Sequence, residues 1–143
     1  MKDLRIIIAG GRDFNDYELL KTSVLNILAE LSSEQANGIT KITLPKESVE
    51  IISGTARGAD ALGERFAAEF GLKVVRFPAN WNKYKGAAGP IRNGQMADYA
   101  IGKTDGTICD GMLIAFYDGN SPGTTSMIEI AERKGLIIHV IRY

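Results

Sequence analysis

The chain has 143 residues, with 17 basic and 17 acidic side chains, one histidine and one cysteine. That length suits one domain with a single substantial core. The balanced charge gives no global field toward nucleic acid or an anionic membrane, so an anion would have to be held locally. A lone Cys109 excludes an intramolecular disulfide, and with His139 alone beside it cannot supply the usual structural zinc set, so neither metal nor cofactor is expected. Met1 to Arg5 runs straight into a short apolar segment broken by Gly10, Gly11 and Arg12, unlike a signal peptide or a membrane span. The expectation is a soluble cytoplasmic protein.

Leu4 to Ala9 is a continuous β-branched apolar run, as expected of a central parallel strand covered on both faces. After the glycine turn, Asn15 with Glu18 resembles a capping box, and Tyr17, Leu20, Val24, Ile27, Leu28 and Leu31 recur at helical spacing. Ser32 to Glu50 is less regular. Asn37-Gly38 marks a turn, Ile42 and Leu44 alternate briefly and Pro45 ends the run, so the segment reads as an irregular connection with room for a small extra strand. Val49 to Ser53 is the second main strand. A helix follows from about Gly58 to Phe70, with Ala59, Leu62, Phe66 and Phe70 inward and Gly71 as its stop. Leu72 to Phe77 is the third strand, and Asn80 to Gly89 reads as a loop. Pro90 suits the first turn of a helix that continues from Ile91 to Ile101. The glycine- and threonine-rich stretch Gly102 to Gly111 leads into the fourth strand, Met112 to Phe116. Thr124 to Lys134 is the last helix, Gly135 its stop, and Leu136 to Ile141 the last strand. Such alternation predicts one domain over residues 1–143, a three-layer α/β/α sandwich with a mostly parallel sheet.

In open sheets of this class a ligand sits beyond the carboxyl ends of the strands, where the strand order reverses. For main strands ordered 3-2-1-4-5 the reversal lies between the first and fourth, which makes neighbours of the Gly10-Gly11-Arg12 and Gly119-to-Thr124 turns. Gly123 allows close backbone approach, Thr124 and Thr125 offer hydroxyls and N–H groups at a helix start, and Ser121 can donate from the preceding loop. Ser53, Gly54 and Gly58 belong to the turn after the second strand. Any one such turn serves equally well merely to reverse the chain. Arg12, Arg57 and Arg92, all assigned to the same sheet edge, favour an anionic ligand, because a guanidinium matches phosphate bidentately.

Asp13 reads as a helix cap, whereas Asp60 is open between capping and the site. Trp81 and Tyr84 could stack on a base or cover the core edge, and the nearby Lys83 and Arg92 tilt the reading toward binding. His139 lies in an apolar strand and reads as an ordinary partly buried histidine, Cys109 has no activating partner, and Glu129 could face the site or solvent. The full P-loop motif Gly-x-x-x-x-Gly-Lys-Ser/Thr and the Gly-x-Gly-x-x-Gly of dinucleotide folds are both missing: Gly102-Lys103-Thr104 has Ala97 where the first P-loop glycine stands.

The series Gly10-Gly11-Arg12-Asp13-Phe14, Ser53-Gly54 with Ala56-Arg57-Gly58-Ala59-Asp60, Phe77-Pro78-Ala79-Asn80-Trp81 through Lys83-Tyr84, Ala88-Gly89-Pro90 to Arg92-Asn93 and Met96, then Gly123-Thr124, resembles the YspA-like, YpsA-related branch of the SLOG superfamily. The resemblance spans nearly the whole chain. It implies a Rossmann-like fold that binds a nucleotide or nucleotide-derived small molecule, with self-association left open. Related SLOG proteins include the Lonely Guy phosphoribohydrolases, which cleave the N-glycosidic bond of nucleoside monophosphates, and the DNA-processing protein A group, which binds single-stranded DNA. Arg92-Asn93-Gly94-Gln95-Met96 is similar to the Arg-Lys-x-x-Met segment of the hydrolases. Their Pro-Gly-Gly-x-Gly-Thr-x-x-Glu segment corresponds to Asn120 through Met127, with Met127 where the glutamate stands. A thioether can neither stabilise an oxocarbenium-like centre nor activate water, so binding or sensing comes first. N-glycosidic hydrolysis, with Arg92, Asp60 and Glu129 as candidates, is the alternative. Single-stranded DNA binding is the weakest reading, since it calls for a basic groove with repeated stacking aromatics.

Overall fold

The computed structural model describes the backbone of residues 3–36, 39–42 and 46–143, and the side chains of residues 3–31 and 46–143. In chain order the elements are β1 (Asp3–Gly10), α1 (Tyr17–Ser32), β2 (Ser33–Ala36), β3 (Ile39–Ile42), β4 (Val49–Ser53), α2 (Ala59–Phe70), β5 (Lys73–Arg76), α3 (Trp81–Tyr84), α4 (Ala88–Ala100), β6 (Cys109–Tyr117), α5 (Pro122–Lys134) and β7 (Ile137–Arg142). Five strands form one parallel sheet in the order β5-β4-β1-β6-β7. Counted along the main strands, that is the expected 3-2-1-4-5 order, with the reversal between β1 and β6.

The apolar run of β1 is unbroken because both its faces are covered. Leu4, Ile6 and Ile8 pack with Val49, Ile51, Met112 and Ile114 against α1 and α2, chiefly through Leu20, Val24 and Phe66. Ile7 and Ala9 point the other way with Ile52, Leu113 and Ala115, against Met96, Ala97 and Ala100 of α4 and Met127, Ile130 and Ala131 of α5. Burying a large apolar side chain of this kind stabilises the fold by about 1.5–3 kcal/mol relative to leaving it exposed. Gly71 and Gly135 close α2 and α5 in the left-handed conformation, as expected of helix stops.

Arg5 interrupts the apolar pattern of the central strand, yet is only 3% exposed. Its guanidinium donates to both carboxylate oxygens of Asp105, at 3.1 and 2.7 Å, and to the Tyr99 carbonyl oxygen at 2.8 Å. It also lies 3.9 Å from the centre of the Tyr99 ring, and its Nε is 3.5 Å from Glu50 of the neighbouring strand. The Tyr99 hydroxyl donates to Glu50 in turn. A buried charge is tolerated here because both terminal nitrogens donate to acceptors and Glu50 lies close to Nε, which itself has no hydrogen-bond partner among the described residues.

Four expectations about the elements need correction. The cap of α1 is Asp16, whose carboxylate accepts from the Leu19 N–H at 3.0 Å, and not the Asn15-Glu18 box. The Ser32-to-Glu50 connection holds two short strands, paired antiparallel from Ser33↔Ile42 to Ala36↔Ile39, and a single 3-10 turn at Lys46–Ser48. The features expected at Asn37-Gly38, Leu44 and Pro45 lie outside the described residues. Asn80 to Gly89 is helical rather than a loop: Asn80 caps α3 by accepting from the Lys83 N–H at 3.0 Å, a 3-10 turn follows at Lys85–Ala87, and α4 starts at Ala88. A side-chain cap at Asn80 outweighs the low helix propensity of the glycines beyond it. The start of β6 is also earlier than expected, at Cys109, because Gly111 sits inside a strand that passes under the Ala100 carbonyl at the end of α4.

Candidate functional site

The carboxyl ends of β1 and β6 meet as the topology requires, with the Gly11 N–H bonded to the Phe116 carbonyl at 3.2 Å. The turn after β4 is locked onto the turn after β1. The Ala59 N–H donates to Gly11 O at 3.2 Å, and Gly58, at φ +81°, packs so closely that a Cβ would lie 2.2 Å from that same oxygen. Glycine is therefore required at position 58 for both conformation and space.

Above this junction lies a cleft of about 420 Å³ lined by Gly10, Gly11, Arg12, Asp13, Ala56, Arg57, Asp60, Arg92, Asn93, Ser121, Pro122, Gly123 and Thr124, over an apolar floor of Ala9, Met96 and Met127. The start of α5 forms one wall. The first N–H groups of a helix have no intrahelical acceptor, so those of Gly123 and Thr124 are available at the cleft. A Cβ on Gly123 would meet nothing within 4 Å, so the packing of the described residues gives no reason for glycine there. Space left open on the cleft side of an anion-attracting helix start suits close approach of a ligand.

A second hollow, of about 460 Å³, lies on the other side of the arginines and is lined by Gly54, Thr55, Pro78, Ala79 and Trp81 together with Arg12, Ala56, Arg57 and Arg92. Lys83 and Tyr84 line a third, of about 230 Å³, with Arg92, Ile91 and Gln95. Arg92 is the best anchored of the three arginines: it donates to the Gly54 carbonyl and, through Nε, to Asn93 Oδ1 at 3.0 Å. Arg12 and Arg57 are exposed, and among the described residues neither forms an ion pair.

Several sequence-chosen residues either sit beside the clefts or have their polar groups already engaged. Ser53 is buried, with its hydroxyl donating to Glu64 at 2.6 Å and accepting from the Thr55 N–H at 3.1 Å. Gly119 turns the chain at φ +92° against Arg142. The Thr125 hydroxyl is taken up by the Tyr117 hydroxyl and the Ser121 carbonyl, and that of Thr124 donates to Ser121 Oγ at 3.1 Å. Glu129 is exposed on α5, outside the described clefts. Asp13 does not cap a helix but accepts from the Tyr143 hydroxyl at 2.8 Å.

The model of the YspA, cpYpsA-related SLOG family matches residues 4–84. The chain belongs to that family. No curated protein matches the SLOG chain. Among solved structures it is similar to DNA processing protein A (DprA) from Streptococcus pneumoniae, with a TM-score of 0.61 at 15% identity over 97% of this chain and 50% of that one. The SLOG chain thus spans half the length of that protein, and the likeness establishes the Rossmann-like fold. Family membership points to nucleotide-related binding or processing.

The electrostatics of the first cleft centre on Asp60. Its carboxyl is 6% exposed, accepts from the Ala56 N–H at 3.1 Å, and is pushed up to about 6 by burial, against the opposing pull of that hydrogen bond and of Arg92. Burial also lowers the Arg92 guanidinium from its usual range. Both shifts carry one message: desolvation outweighs the attraction between the two groups. Sequence reasoning missed Thr55, which holds a left-handed φ of +66° on the second hollow. Strain of that kind in a non-glycine residue has no sequence signal, although it is common at functional sites. Among the described residues there is no group of three or more His, Cys, Asp or Glu side chains suited to a metal, and no helix long and apolar enough to cross a membrane.

Proposed function

We propose that this protein binds or senses a nucleotide or nucleotide-derived small molecule at the carboxyl edge of the sheet. A phosphate would lie between the Gly10-Gly11 turn and the start of α5, within reach of Arg12 and Arg57. The observation that carries the reading is the open Gly123 face of α5 opposite three arginines in one cleft, since helix-start N–H groups and guanidiniums are the two commonest phosphate partners. Nucleic acid is disfavoured by the neutral charge. The single cysteine suits a reducing cytoplasm. A calorimetric screen of purine mononucleotides, dinucleotides and ADP-ribose tests the proposal. Binding that falls by about 10–100-fold in Arg12→Ala combined with Gly123→Val supports the site, from the usual strength of charge-assisted hydrogen bonds. Binding unaffected by that pair of changes refutes it.

Hydrolysis of a nucleotide N-glycosidic bond is the second reading, and Asp60 favours it. A carboxyl raised to about 6 inside the cleft lies in the range useful for general acid or base work. Against it, Met127 supplies a buried thioether where the related hydrolases carry glutamate. The wild-type protein is expected to hold a nucleoside monophosphate without releasing base. Multiple-turnover release of free base, seen by chromatography and lost in Arg92→Ala, would make the enzyme reading the correct one.

A further inference from the structure

The three guanidiniums form a ridge between two hollows instead of the end of one. Arg12, Arg57 and Arg92 border the 420 Å³ cleft on one side and the 460 Å³ hollow on the other. Arg92 is pinned on that ridge by its bonds to Gly54 and Asn93. The two sides differ in chemistry. One has the α5 start and an apolar methionine floor, and the other has Pro78 and the indole of Trp81, which is 50% exposed. A half-exposed indole beside unpaired guanidiniums offers a stacking face next to a phosphate subsite. Each hollow alone has room for one small-molecule moiety.

We infer that the ligand has two lobes, two nucleoside or sugar moieties joined through a diphosphate that crosses the arginine ridge, with an aromatic ring of one lobe stacked on Trp81. The inference rests on the nucleotide reading above and narrows it. A diphosphate diester carries two negative charges between its lobes, where the ridge stands. A mononucleotide would fill one hollow and leave the other to water.

Trp81 is the sole tryptophan, so intrinsic tryptophan fluorescence reports directly on the second hollow. The experiment titrates the intact protein with AMP, ADP and diadenosine diphosphate, following heat and fluorescence together. Diadenosine diphosphate is expected to bind about tenfold more tightly than ADP and to quench Trp81, although ADP carries the greater negative charge. In Trp81→Leu, a change at a half-exposed position checked for folding by its thermal melt, the two affinities are expected to converge to within about twofold. ADP binding as tightly as diadenosine diphosphate, or bound diadenosine diphosphate leaving Trp81 fluorescence unchanged, overturns the two-lobed ligand while leaving the nucleotide reading standing. Absence of binding by all three overturns both.

Discussion

Replacing Asp60 with asparagine removes one titrating group and keeps an oxygen able to accept from the Ala56 N–H. Burial pushes the Asp60 carboxyl up to about 6 in the fold against 3.8 for the free group. At about 1.4 kcal/mol per unit, this corresponds to about 3 kcal/mol. The sign follows from which state releases its proton first. Below about pH 4 both states hold the proton and the carboxyl carries no penalty. Between about pH 4 and 6 the unfolded chain ionises while the buried carboxyl resists, so this contribution to stability falls as pH rises, and above about 6 the penalty is constant. Asp60→Asn does not titrate. Its stability relative to wild type should therefore climb by about 3 kcal/mol across that window and then level off. Urea unfolding of both proteins at intervals from about pH 4 to 8 gives the difference directly. Arg92, Arg12 and Glu64 act on the same carboxyl, and all three are unchanged in the variant. A difference that stays flat, or that favours wild type at higher pH, would show that the carboxyl is not held in a desolvated place, and the account of the cleft's electrostatics would fail with it.

Gly58→Ala should destabilise the fold by about 2–4 kcal/mol, since the new methyl meets Gly11 O at a residue with positive φ; thermal or urea melts measure it. Arg5→Ala should cost about 1–3 kcal/mol at neutral pH because the Tyr99 carbonyl and Asp105 lose their donor while Glu50 keeps Lys73, at 3.9 Å, as its cation, and urea melts that match wild type would refute the pairing. Met127→Glu buries a carboxylate at a position 1% exposed, so its stability should rise as pH falls and the new group takes up a proton, a trend opposite to acid denaturation and readable in melts at several pH values. Single-stranded DNA should not bind tightly at physiological salt; in anisotropy titrations, tight association that weakens steeply with added salt would count against the small-molecule reading.

The sheet was legible because its central strands are buried on both faces and their apolar runs have little competition: Leu4 to Ala9 and Val49 to Ser53 could be placed from sequence within a residue or so. Legibility failed where a side chain overrides propensity, as at Asn80, whose cap turns a glycine-rich stretch helical, and at Asp16, which displaces Asn15 as cap. Arg5 gave no sequence warning either, because its partners Tyr99 and Asp105 lie 94 and 100 residues away. At the site, residue type and turn position were enough to gather Arg12, Arg57, Arg92 and Gly123 at one edge. They could not show that Ser53 and Thr125 have hydroxyls already engaged, or that Glu129 faces water, since those depend on helix rotation and on the contacts of neighbouring turns.

The Arg5 cluster lies at the edge of the sheet opposite the clefts, yet it acts on the same helix. Tyr99 sits at one end of α4, and Arg92 with Asn93 near the other. Fastened to Arg5 and Glu50 at its far end, and through Arg92 to Gly54 at its near end, α4 behaves as a strut clamped at two points. On the proposed binding, Arg92 would therefore meet a ligand with its rotamer freedom already removed by folding, whereas Arg12 and Arg57 would surrender theirs only then. Changes at Arg12 and Arg57 should show up mainly in the entropy of association, and changes at Tyr99, which lines none of the described clefts, in how well Arg92 is aimed.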